Sequence, residues 1–200
     1  MARFHIGLII NPLAGLGGPA AFKGSDGMAE QALALGVEAK AAQRTRTALE
    51  QLLALRERIE FVSYPGAMGG ELLAQMGFEH RLLGELGEGA TTAEDTRRAV
   101  RQLQDAGVAL ILFAGGDGTA RDVCAVVNAS QPVLGIPAGV KIQSGVYAIS
   151  PRAAGELTMA PPRHPSRLQK PFHLSQKCCQ LQFECSKTFS HSSMLHMFHM

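Results

Sequence analysis

From Val108 to Ala114 seven apolar residues follow one another without interruption, and the chain then runs straight into Gly115-Gly-Asp-Gly-Thr119. An unbroken apolar run of that length reads as a strand buried on both faces. Phe4–Ile10 reads as a first buried strand, and Asn11-Pro-Leu-Ala-Gly-Leu-Gly-Gly18 follows it as a loop. Met28–Leu35, stopped by Gly36, reads as a short helix. Leu49, Leu52, Leu53 and Leu55 predict a helix over Thr45–Arg58 with one apolar face. Ile59–Ser63 is a second strand broken by Pro65-Gly66, Gly69–Met76 a helix, and Phe78–Leu83 a weaker third strand. Thr91-Thr-Ala-Glu-Asp95 has the form of a capping box, with Thr91 or Thr92 as N-cap. The helix it opens reaches Ala106, with Ala99, Val100 and Leu103 inward, and stops at Gly107. After the glycine turn a helix is expected over Ala120–Val127, then a strand over Pro132–Ile136 leading into Pro137-Ala-Gly139. Strands alternating with helices imply an α/β fold, a doubly wound and mostly parallel sheet. Such sheets bind ligands at the C-terminal ends of their strands. The three glycine-rich loops, 11–18, 115–119 and 135–139, all lie there, so they can converge on one cleft.

The turn at 115–119 suggests phosphate chemistry. Glycines at 115, 116 and 118 can take positive φ and bring backbone close to a ligand. Their N–H groups can then face anionic oxygens. Thr119 can cap the following helix, whose N-terminus attracts anions. Asp117 is the exception, because a carboxylate beside phosphates is repelled unless it contacts a metal or accepts a proton. Its useful roles are therefore metal contact or general base toward a hydroxyl nucleophile. The bland alternative is a strand–turn–helix corner in which Asp117 is a local cap.

Composition narrows the class. With 46% hydrophobic residues the chain can bury a core, and its net charge of +2 is too small to argue for nucleic acid. No apolar run is long enough to span a membrane. The N-terminus enters a strand directly, with no signal-peptide pattern, and the chain reads as cytoplasmic. These features point to a small-molecule partner, neither nucleic acid nor membrane, and leave a homo-oligomer open. Cys124, on the helix after the turn, is most simply a core residue.

The ordered set Asn11-Pro12-x-Ala14-Gly15, Gly115-Gly-Asp-Gly-Thr-Ala-Arg-Asp122 and Gly135-Ile-Pro-Ala-Gly-Val-Lys141 resembles the N-terminal half of ATP-NAD kinase family proteins. Pro65-Gly66-x-Met68-Gly69 and Thr91–Asp95 fit the branch that includes acetoin-catabolism accessory proteins. The similarity covers about residues 3–155 and implies a Rossmann-like nucleotide-binding domain. It also implies transfer of the ATP γ-phosphoryl group to the 2′-hydroxyl of NAD, assisted by Mg²⁺, with polyphosphate as an alternative donor. On that resemblance Asp117 would orient or deprotonate the attacking hydroxyl. Gly115, Gly116, Gly118 and Thr119 would cradle phosphates. Asn11 and Gly15 would line the cleft from the first loop, and Gly139 from the third. Lys141 is either a phosphate contact or a surface lysine. Arg121 either neutralises phosphate charge or is solvated. The turn alone is shared with diacylglycerol and sphingosine kinases, which makes a lipid kinase an alternative. Those enzymes usually carry Thr-Gly-Asn-Asp after the third loop, where this chain has Val140-Lys-Ile-Gln143. A non-catalytic nucleotide-binding accessory protein is the third reading.

The pattern changes near Leu157. All 22 glycines lie in residues 1–157, which carry 14 Lys+Arg against 16 Asp+Glu, whereas residues 158–200 carry five against one. Residues 1–157 therefore read as the nucleotide-binding domain and 158–200 as an unrelated, unstructured tail. Cys178, Cys179, Cys185, His191, His196 and His199 make no zinc spacing, so no bound metal is expected there. NAD kinases continue into a β-rich domain with an Asn-Glu motif for the ribose, yet no asparagine follows Asn128 here. We expect a truncated or frame-shifted product with impaired activity. Sequencing the coding DNA beyond codon 157 should reveal an Asn-Glu motif in another frame; one uninterrupted frame encoding such a tail in many independent sources would refute this.

Overall fold

The computed structural model describes residues 3–15, 40–87, 89–139 and 142–159. Among these, five strands form one sheet: β1 (Phe4–Ile10), β2 (Ile59–Ser63), β3 (His80–Leu82), β4 (Leu110–Gly115) and β5 (Val133–Pro137). The order is β3-β2-β1-β4-β5 and every pairing is parallel. Parallel neighbours need crossover connections, supplied here by α1 (Ala41–Glu50), α2 (Gly70–Met76), α3 (Ala93–Asp105) and α4 (Asp117–Val126), with α5 (Pro151–Met159) after β5. The expected α/β, Rossmann-like architecture is what forms.

Alternation along the central strands sorts the core into two layers. Leu112 and Ala114 of β4 join Ile6, Leu8 and Ile10 of β1 on the face covered by α1, α2 and α5. Ile111 and Phe113 face the other way, with Ile9 and Val62, against Ala99, Val100 and Leu103 of α3 and Val123 and Cys124 of α4. From Ile6 to Ile10 and from Ile111 to Gly115 both faces are buried, which is why these stretches carry apolar runs rather than alternation.

α3 begins with a complete capping box on Thr92. Its hydroxyl accepts from Asp95 N–H at 3.3 Å, and the Asp95 carboxylate accepts from Thr92 N–H at 2.8 Å. These bonds from the Thr92 backbone and hydroxyl pull the Asp95 carboxyl below its ordinary range. α3 ends at Gly107, whose φ of +71° is left-handed, and Val108 N–H closes the end on Leu103 O. That wrap takes Val108 out of the expected strand, so β4 starts at Leu110.

Two further boundaries differ from expectation. The predicted helix over Thr45–Arg58 is α1 from Ala41 to Glu50, followed by a 3₁₀ segment, Leu53–Arg58. Tighter winding rotates side chains off the inward stripe. Leu49 and Leu52 are fully buried, whereas Leu53 is 40% exposed. α4 starts at Asp117, three residues before the expected Ala120, so the glycine turn is partly the helix's first turn. The short helix expected over Met28–Leu35 lies outside the described residues. The compositional break at Leu157 falls within α5, and 160–200 are likewise outside the description.

α1 and α5 meet at Gly155, where a Cβ would overlap the Ala48 carbonyl oxygen and sit 2.9 Å from Gln51 Cβ. Backbone cannot yield as a flexible side chain can. Gly155→Ala should therefore destabilise the fold by about 1–3 kcal/mol, read as a lower urea midpoint at unchanged m-value.

Candidate active site

The sheet order reverses between β1 and β4. From β1 the chain moves toward β2, and from β4 toward β5, so their C-terminal ends border a crevice. Asn11–Gly15 leaves β1 at that crevice, Gly115–Thr119 leaves β4, and Pro137–Gly139 leaves β5 beside it. The three loops expected to converge do so, and they are bonded to one another.

Gly115 O accepts from both Ala138 N–H, at 2.9 Å, and Gly139 N–H, at 3.0 Å. This pulls the third loop onto the second until the backbones touch. A Cβ on Gly139 would lie 2.9 Å from Gly116 Cα. The first loop is tied in by Asn11. Its Nδ2 donates to Thr119 Oγ1 at 2.9 Å, its Oδ1 accepts from Leu13 N–H at 3.0 Å, and its backbone N–H reaches Ala114 O at 2.9 Å. Gly15, at φ +90°, lies so close to Ala138 O that a Cβ would come within 2.8 Å of it. From the covering layer, Arg44 of α1 donates to Pro137 O at 3.0 Å.

These contacts correct the expected reason for the glycines. Gly115, Gly116 and Gly118 do not take positive φ; Gly116 is extended at −113°. Gly115 is required because a Cβ would overlap the Thr119 side chain, whereas a Cβ on Gly116 would make only ordinary contact with Gly139 Cα at 3.5 Å. Gly118 is exposed with open space around it, which leaves the first turn of α4 accessible. Thr119 is not the cap. The N-cap is Gly116, which has no side chain to offer, while Thr119 is buried in the third helical position and accepts from Asn11. The first N–H groups of a helix have no intrahelical partners. Here no side chain caps them, and they open toward the crevice, the geometry in which helix N-termini hold anions.

Asp117 begins this helix and is half-buried. Its Oδ1 accepts from Gln143 and Ser144 N–H at 3.2 and 3.1 Å, and its Oδ2 from Gln143 N–H at 3.1 Å. A carboxylate offers about four acceptor positions, so a lone pair on Oδ2 is left for a hydroxyl. Residues 143–148 form a strap along β5, where Gly135 N–H donates to Val146 O at 2.8 Å and Ala148 N–H to Gly135 O at 3.0 Å. Tyr147 sits on this strap and donates its hydroxyl to Gly116 O at 2.6 Å. Burial, and secondarily the Asp117 charge, push its phenol far above the ordinary tyrosine range, so it stays a donor.

A model of the ATP-NAD kinase N-terminal domain matches residues 6–160. The chain belongs to the ATP-NAD kinase family. The match begins within β1, covers the other four strands and the three joined loops, and ends one residue beyond α5. No match was found among curated proteins.

Other members of the sequence motifs have different fates. Asp122 is taken up by Arg97 of α3 at 2.7 Å and so ties two helices together. Arg121 is exposed on α4. Lys141 lies outside the described residues. Arg44, Gln143, Ser144 and Tyr147 were missed as site residues. Arg44 lies in no motif, and the two backbone donors have no side-chain signature. Only Tyr147, one of two tyrosines in the chain, offered a signal. Because Asn11 and Thr119 are 108 positions apart, their bond is a direct probe of loop assembly. A double-mutant cycle of Asn11→Ala and Thr119→Val should give a coupling of about 1 kcal/mol in denaturant unfolding.

Proposed function

We propose that this chain is the nucleotide-binding part of a cytoplasmic, ATP-dependent NAD kinase, transferring the γ-phosphoryl group to the 2′-hydroxyl of NAD. The observation that carries this reading is Asp117 at the start of α4, with an acceptor position spare on Oδ2, beside an uncapped helix N-terminus. Phosphoryl transfer asks little covalent chemistry of a protein. It needs donor and acceptor held in line, charge stabilisation, and an acceptor for the hydroxyl proton. The backbone N–H groups of Asp117, Gly118 and Thr119 would receive phosphate oxygens. Gly115, Gly116 and Gly139 would keep the floor flat enough for close approach, and Asn11 and Gly15 would hold the opposite wall. Lys141 would add a phosphate contact.

Asp117 would take the proton of the attacking hydroxyl on Oδ2 while the Gln143 and Ser144 N–H groups hold the carboxylate in place. Among the described residues no group of three or more His, Cys, Asp or Glu side chains could hold a metal ion. One carboxylate at the cleft suits Mg²⁺ carried in on ATP phosphates, where it neutralises charge; Mg²⁺ is normally bound by one or two carboxylates plus substrate phosphates. Among the described residues no helix is long and apolar enough to cross a membrane, and a small nucleotide is the partner this cleft suits.

We expect ATP binding from these 200 residues. In an NADP-specific coupled assay, Asp117→Asn should reduce NADP formation by about 10²-fold or more while leaving ATP affinity and the thermal midpoint nearly unchanged. Full activity in that variant would remove the general-base role. Absence of ATP binding in the wild-type chain would remove the reading altogether.

A further inference from the structure

The strap grips the start of α4 at two adjacent residues. Gln143 and Ser144 hold the Asp117 carboxylate, and three residues later Tyr147 holds the Gly116 carbonyl. We propose that Tyr147 is a positioning residue, its hydroxyl setting the orientation of the Gly116–Asp117 peptide and hence of the phosphate-binding first turn of α4. This rests on the reading that the start of α4 receives the nucleotide phosphates.

The ring is seated on the two strands that carry the second and third loops. It meets Phe113 of β4 edge-on, at 5.3 Å between centroids and 61° between planes. It also lies over Gly135 of β5, where any Cβ would overlap it. Gly135 therefore serves Tyr147 rather than a ligand. The main chain on either side of the tyrosine is fixed by the Val146 and Ala148 bonds to Gly135. With ring and backbone both held, the hydroxyl has one place to be. The Gly116 carbonyl that it bonds also accepts Ala120 N–H at 3.0 Å, the first bond of α4. An extended glycine has little intrinsic preference to hold its peptide plane. Without the phenol, that plane is fixed on one side only, by the helix.

A structural role alone would lower stability and leave the affinity of folded molecules intact. A positioning role moves affinity, because the Asp117 N–H aimed at the phosphates lies in the same peptide and turns with it. Tyr147→Phe keeps the ring and removes only the hydroxyl. For the full 200-residue chain, calorimetric titration with ATP should show about five- to tenfold weaker binding in Tyr147→Phe. Gly155→Ala, a destabilised variant altered between α1 and α5, should bind as wild type does. In NADP formation, KM for ATP should rise in Tyr147→Phe while KM for NAD holds. Equal ATP affinity in wild type and Tyr147→Phe overturns the positioning role and leaves the proposed function standing, whereas no binding in wild type overturns both. Amide hydrogen exchange on the wild-type chain gives an independent check, needed if the variant does not fold. ATP should protect residues 143–147 together with 117–119, and protection confined to 117–119 would overturn the proposal.

Discussion

The site depends on one backbone oxygen. Gly115 O, at the end of the central strand β4, accepts two N–H groups from Ala138 and Gly139 and so holds the loop after β5 against the loop after β4. Two hydrogen bonds to a carbonyl in a largely buried corner are worth more in assembly than in isolation, because leaving any of these groups unpaired would carry the full desolvation cost. The approach they impose brings glycine backbone against glycine backbone at 116 and 139. A side chain at 139 does not fit there, so the glycine at that position follows from this contact.

Around that contact the chain arranges chemistry by division of labour. β1 and β4 pair in register and are buried on both faces toward their C-terminal ends, so those ends form a stable rim. The Asn11–Thr119 bond spans that rim. α4 opens on a residue without a side chain, which leaves its N–H groups facing the crevice. Asp117, placed at the start of the same helix, is held by two main-chain donors from the strap. A carboxylate held in this way keeps its orientation while retaining room for one more hydrogen bond. The neighbouring acid, Asp122, is spent on the ion pair with Arg97 and secures α4 to α3.

What the amino-acid order determined without help is the set of local signals. The apolar runs of β1 and β4, the Thr92–Asp95 capping box, the Gly107 stop and the motif order were all legible, because each depends on residues close in sequence. They sufficed for the fold class, the family and the meeting of three loops. Tertiary structure decided the rest, because most of the contacts concerned join residues 26 to 108 positions apart. It assigned Thr119 to Asn11 instead of to a cap. It gave Gly115 a steric reason in place of a conformational one, and it broke the helix expected over Thr45–Arg58, part of which packs on Gly155. It also brought Gln143, Ser144 and Tyr147 to the start of α4. Two of those contacts are made by backbone N–H groups, which every residue but proline possesses, so no side-chain pattern could have announced them.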